Sequence, residues 1–301
     1  MLKHNLPDTS DLTFHCGVAA YGVVEARLAA LPALREQPGW PPERKIPPRF
    51  LRHADEQTVV GLAAVLRAMQ QPPLAQQCFD DWGVVAAPHF PGRIGGATAM
   101  AKFQQEGPAT VSPHVIPQHS LHSVSSTISI ALAMHGPTFG VGGGPEALAE
   151  ALSVAMTFFQ HGCWPGLWLV LTQWEPEPLP DGLGSSTIDA LCRGVALALV
   201  PDNDQEWSLR WTVSAADQLP DEHHADHQLA SARRAPSTAP LAELAACLTA
   251  GGAQSPAGRW SYRLPWGGQV DLQSVAQPKR GHLARIGPLQ SSSSTNHGRI
   301  V

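Results

Sequence analysis

Three glycines and a proline, Gly142-Gly143-Gly144-Pro145, separate a short strand pattern, Thr138-Phe139-Gly140-Val141, from the strongly apolar helix pattern of residues 146–161. A chain that passes directly from strand to helix needs backbone with positive φ, which glycine supplies without steric cost. Pro145 suits the first helical turn, and Glu146 complements the positive end of the helix. The next apolar run, GLWLVLTQW (166–174), reads as a buried strand. Strand, elbow, helix and second strand together form a crossover unit, so helices must pack on a sheet.

The same alternation continues on both sides. WGVVAAPHF (82–90) reads as a strand, and GRIGGATAMAKFQQEGP (92–108) as a Gly-rich turn into a helix closed by Gly107-Pro108. Residues 112–137 read as a loop entering a Ser-rich helix, 118–134. RHADEQTVVGLAAVLRAM (52–69) is amphipathic: Val59, Leu62, Ala63, Leu66 and Met69 fall at helical spacing, with Asp55 and Glu56 in the first turn. Near the start, LTFHCGVAAYG reads as a strand, VVEARLAAL as a short helix, and QPGWPPERKIPPR as an extended loop. GSSTIDAL (184–191) reads as a helix N-cap before the apolar run of 189–200, and EWSLRWTVSAA as a strand. The expected class is α/β, with a mostly parallel mixed sheet covered by helices.

Composition shifts near Ala215. ADQLPDEHHADHQLASARRAPSTAP is polar and reads as a linker, residues 215–240. A helix from Leu241 and a hairpin with Trp-Gly-Gly at its turn follow, to about residue 273, and 274–301 is expected to be disordered. Net charge is −5 with scattered Lys and Arg, which excludes a nucleic-acid footprint. No apolar run approaches the roughly 20 residues that span a bilayer, and no signal-peptide pattern opens the chain. Five cysteines without CxxC spacing point to a reducing, cytoplasmic setting rather than a disulfide or zinc framework. His223, His224 and His227 in DEHHADH, and His114, His119 and His122, lack the ligand pattern of a metal site, so neither metal nor cofactor is expected.

The order of motifs from Ser112 to Glu146 resembles the centre of the N-terminal half of a condensing enzyme, the β-ketoacyl-ACP synthase branch of the thiolase-like fold. The matching residues are Ser112-Pro113, Pro117, the helix 118–134, Gly136-Pro137 and the strand 138–141, in a register that needs no gap. RIGG (93–96) is similar to the family's Gly-rich turn, and RFLRHADEQTVVGLAAV to its first long helix. FFQHG and LWLVL resemble the segment after its nucleophile helix. The resemblance covers roughly residues 12–200.

Two departures accompany it. The position of the family's nucleophilic Cys is Pro145, which has no reactive group, and the neighbouring Glu146 cannot replace a thiolate in forming an acyl thioester. Active ketosynthases also carry a second half with two histidines; about 100 residues follow here, and KRGHLARIG (279–287) is set aside as coincidence. The chain therefore resembles a chain-length factor, in particular the shortened factors of aryl-polyene and related type II polyketide systems.

The resemblance implies a non-catalytic subunit, truncated relative to full ketosynthases, that forms a heterodimer with an active ketosynthase and meets acyl carrier protein only indirectly. The thiolase-like domain is expected over 1–214, with the helix and hairpin of 241–273 completing it. The implied dimer strand is Thr138, Phe139, Gly140 and Val141. The implied tunnel gate is Ile94, Ala97, Met100 and Ala101 on one helix with Val115, His119 and His122 nearby, side chains that would limit product length by occupying space. The degenerate turn is Gly142, Gly143, Gly144, Pro145 and Glu146. Two other readings stand beside this one. The first is an acyl hydrolase or transferase using Glu146 or a nearby His as base. The second is a structural scaffold for the ketosynthase or for carrier protein, with Arg49, Arg52 and Arg93 as a basic patch.

Overall fold

The computed structural model describes residues 12–40, 47, 49–72, 74, 77–160, 164–201, 205–213, 240–250 and 258–274. The expected linker 215–240 and tail 274–301 lie almost wholly outside these residues, as do the DEHHADH histidines. In chain order the elements are β1 (Leu12–Arg27), α1 (Leu31–Glu36), α2 (Glu56–Met69), β2 (Gly83–Pro88), α3 (Arg93–Glu106), α4 (Val115–His119) and α5 (Ser123–Leu132). Then come β3 (Thr138–Gly140), α6 (Ala147–Gln160), β4 (Leu167–Glu175), β5 (Leu191–Val200), β6 (Trp207–Val213), α7 (Pro240–Ala250), β7 (Arg259–Arg263) and β8 (Gln269–Ser274).

All eight strands join one sheet in the order β3-β2-β4-β5-β1-β6-β8-β7. Strand side chains alternate between faces, and the two faces have separate cores. Val85, Ala87, Leu169, Leu171, Val195 and Leu197 point to the side covered by α6 and α7. Val84, Ala86, Trp168, Val170, Ala196 and Ala198 point to the side covered by α2 and α5. Every one of these residues is buried, so the middle of the sheet is enclosed in a helix–sheet–helix sandwich. Burying a large apolar side chain contributes about 1.5–3 kcal/mol.

The sheet is mixed, as expected, but parallel pairing is confined to β2 with β3 and β2 with β4. The other five pairings are antiparallel. Two misread segments account for part of the difference. The run at 189–200 is the strand β5, and the Ser-rich segment before it is a loop, not a helix cap. A continuous apolar run buried on both faces has no period that separates strand from helix. The helix expected over VVEARLAAL is likewise largely strand: β1 continues to Arg27 because β5 pairs with it through Leu191. Only a 3-10 turn at Leu28–Ala30 and the six-residue α1 follow.

The expected helix 118–134 is two helices. Pro117 lies in the short α4, Ser120 beyond it is extended, and α5 starts afresh at Ser123. Close approach explains two glycines. A Cβ on Gly22 of β1 would stand 1.9 Å from the Ala64 carbonyl oxygen, and one on Gly61 of α2 would press on Val124 and Val170. The hairpin β7–β8 attaches to β6, extending the same sheet. None of the described helices is long and apolar enough to cross a membrane.

Candidate functional site

The strands β1, β2, β3 and β4 end on the same side of the sheet, where crevices for ligands form in open α/β folds. The elbow of 141–146 lies there. Val141 donates from its N–H to the Ala86 carbonyl, which extends β3 by one residue. Gly142 and Gly143 then take φ of 79° and 89°, the region open to glycine. A Cβ on Gly142 would sit 2.6 Å from the Ala147 Cα, and one on Gly143 would strike Leu121. The glycines therefore serve the turn itself.

Pro145 and Glu146 are exposed in the turn before α6. The cavity beside Pro145 has only about 60 Å³ and is bounded by Ala87, His89, Leu171, Leu241 and Tyr262. Ligand pockets usually hold about 300–1,000 Å³, so an acyl chain has no room here. Leu241 from α7 and Tyr262 from β7 wall the space. Burial, with the charge of Glu146, raises the Tyr262 hydroxyl above its ordinary value of 10.0.

A polar network lies at the same end of the sheet. Asp55 caps α2, accepting from the Gln57 N–H at 3.0 Å and from the Gly92 N–H at 3.2 Å. Its carboxylate is 2% exposed and lies 3.5 Å from His119 Nδ1. Glu56 stands 3.7 Å from Arg35 and is pushed up to about 7 by burial and by the Asp55 charge, against the pull of Arg35. Gln57 donates to the carbonyls of His89 and Phe90 and accepts from the Thr172 hydroxyl, joining α2 to the ends of β2 and β4. Glu177 pairs with His89 Nδ1 at 2.8 Å and with Arg93 at 3.6 Å. Arg193 binds both Glu25 and Glu175 across three neighbouring strands. None of these pairings was legible in the sequence, because 64 residues separate His119 from Asp55 and 88 separate Glu177 from His89.

The expected gate residues lie on packed neighbours, α3 against α4 and α4 against α5. Ile94 is buried, Ala97, Ala101, Val115 and His119 are half-buried, and Met100 and His122 are exposed. His119 turns inward to Asp55. Arg49 and Arg52 are exposed before α2, whereas Arg93 lies over the Phe90 ring at 4.9 Å. Among the described residues no group of His, Cys, Asp and Glu could hold a metal ion.

The expected dimer strand, β3, is the outermost strand of the sheet and, among the described residues, pairs only with β2. Phe139 at its centre is 44% exposed. Beside it, Pro137, Phe139, Val154, Phe158 and Trp164 line an apolar cavity of about 290 Å³. Exposed apolar side chains include Met100 and Phe103 on α3, Ile116 on α4, Leu121, Ile130 on α5 and Phe139 on β3, and elsewhere Leu12, Leu179, Leu183 and Trp266.

No family model and no curated protein matches the chain. Solved structures do match. One is the ishigamide ketosynthase/chain length factor, at 14% identity and a TM-score of 0.53, covering 87% of this chain and all of the other. A second is the complex of a ketosynthase with its chain length factor from Xenorhabdus doucetiae, at 11% identity and a TM-score of 0.51, covering 86% and 99%. The chain has the ketosynthase-like, thiolase-type fold. Within that fold the expected nucleophile turn holds Pro145 and Glu146, and its strand β3 has one free edge among the described residues.

Proposed function

We propose that this chain is a non-catalytic, chain-length-factor type subunit that pairs with an active ketosynthase through β3 and the α3–α4–α5 face. The observation that carries the reading is the elbow: a ketosynthase-like fold whose strand-to-helix turn offers Pro145 and no nucleophile. Three features support it further. The cavity at the elbow is too small for an acyl chain. β3 has an open edge suited to antiparallel addition of a second strand, which would extend one sheet through two subunits. Exposed apolar residues lie on α5, which packs on β3, and on α3 and α4 next to it.

In this role the subunit acts sterically. The acyl chain grows on the partner's thiol, and side chains of α3 and α4 limit the far end of its tunnel, Met100 being the gate residue of α3 that protrudes most. Carrier protein is met through the partner, and both subunits work in the cytoplasm. The reading with Glu146 as a catalytic base draws no support from the geometry, since Glu146 is exposed and the space beside it is nearly closed.

The test is co-expression with an active ketosynthase of the chain-length-factor-dependent kind, taken from the same genome, capture through a tag on one subunit, and native mass spectrometry. A one-to-one complex is expected. A chain that remains alone or pairs only with itself would overturn the proposal.

A further inference from the structure

His119 ends α4, the helix that presents exposed Ile116, yet its own side chain is only 19% exposed. The residue is seated on two glycines at the start of α3, its ring over Gly95 and its Cβ over Gly92. A Cβ on Gly95 would stand 2.2 Å from the His119 Cε1, and one on Gly92, at φ 73°, would stand 2.8 Å from the His119 Cβ. Any other residue at Gly95 would take the space of the ring. Nδ1 is shut off from solvent and makes no well-formed hydrogen bond among the described residues; Asp55 Oδ1, at 3.5 Å, is its charge partner. Asp55 is buried and holds the caps of both neighbouring turns, through Gln57 and Gly92. A buried carboxylate with only two N–H donors gains from a cation beside it.

We infer that His119 is a positioning residue: as a cation beside Asp55 it holds α4 on the start of α3, and so makes ketosynthase docking on this face proton-dependent. The docking half rests on the function proposed above. The groups that act on the ring are Asp55 and Glu56 from the start of α2 and Arg35 from α1, while α3 brings glycines. Asp55, through its close approach to Nδ1 and its charge, raises His119 above its ordinary value of 6.5; burial opposes this, Glu56 adds to it and Arg35 subtracts. A histidine raised on folding contributes stability that is full below 6.5 and is lost as pH rises through the raised value. The latch is thus closed below 6.5 and opens as pH rises through the raised value.

The experiment compares wild type with His119→Gln in two readouts. The first is hydrogen exchange of residues 115–122 in the isolated chain, corrected for intrinsic base catalysis. Because Glu56 also ionises in this range, protection falls with pH in both proteins, but it should fall about five-fold further in wild type than in the variant between pH 6 and pH 8.5, the effect of a partly buried ion pair. The second is the dissociation constant for the ketosynthase over the same range, which should weaken about five-fold in wild type and not in the variant. Equal pH slopes for both proteins in both readouts would overturn the inference. Flat binding with a pH-dependent, His119-dependent exchange would keep the latch and remove its link to docking. No binding at any pH would sink the proposed function and the docking half together, and exchange alone would then decide the latch.

Discussion

Glu56→Gln is expected to stabilise the protein by an amount that grows as pH rises from about 4.5 to 7 and is full at alkaline pH. Glu56 lies at the first position of α2, 16% exposed, with one buried carboxylate beside it and Arg35 at 3.7 Å. Burial and Asp55 push it from 4.5 to about 7 despite Arg35. The folded chain therefore binds a proton that the unfolded chain has released between those two values, and stability falls as pH rises through that window. At about 1.36 kcal/mol per pH unit, ionised Glu56 costs roughly 3 kcal/mol above pH 8. Gln resembles the protonated acid and escapes this cost. Urea denaturation should show the variant more stable by roughly 2–3 kcal/mol at pH 8.5, with a Tm gain on the order of 5–10 °C, shrinking below about 1 kcal/mol at pH 5. A variant that is less stable at pH 8.5, or shifted equally at both pH values, would show that Arg35 keeps Glu56 ionised and that the account of the cluster is wrong.

Three further outcomes follow from the packing. Gly22→Ala should cost more than about 3 kcal/mol, because its Cβ would meet the backbone of α2 at Ala64 and Ala68; a wild-type urea midpoint would contradict that approach. Phe139→Asp should weaken ketosynthase capture at least about ten-fold while leaving circular dichroism and Tm near wild type, since Phe139 is half-exposed on the free edge; unchanged capture would place the docking surface elsewhere. Pro145→Cys should form no acyl-enzyme with an acyl thioester donor, because the space beside it is about 60 Å³; an acyl adduct on the introduced thiol in intact-mass spectra would show that the site opens.

The elements with a strong period were the legible ones. α2 follows its apolar spacing to Met69, though it begins at Glu56 with Asp55 as its cap rather than at Arg52, while the Gly-rich elbow announced the passage from β3 to α6. Where the pattern had no period, it misled: Leu191–Val200 is buried on both faces, so a helix and a central strand look alike. β1 ran past its expected end because long-range pairing with β5 outweighed the local helix preference of Ala and Leu. Two of the five antiparallel pairings, β1 with β5 and β4 with β5, follow from missing β5. The polar pairs were beyond reach of spacing arguments. Asp55 and His119 meet only because α2, the Gly92 turn and α4 converge, and no local motif encodes that convergence. Exposure was equally hidden: Ile116 and Ile130 look like core residues in the sequence and stand in solvent in the fold.

The most direct test of the central claim is the product profile of the partner ketosynthase, reconstituted with its carrier protein and extender units, with and without this chain. The account predicts that adding the chain raises the yield and narrows the products to a defined length, and that Met100→Ala lengthens them. Products unchanged in length and yield when the chain is left out would contradict it.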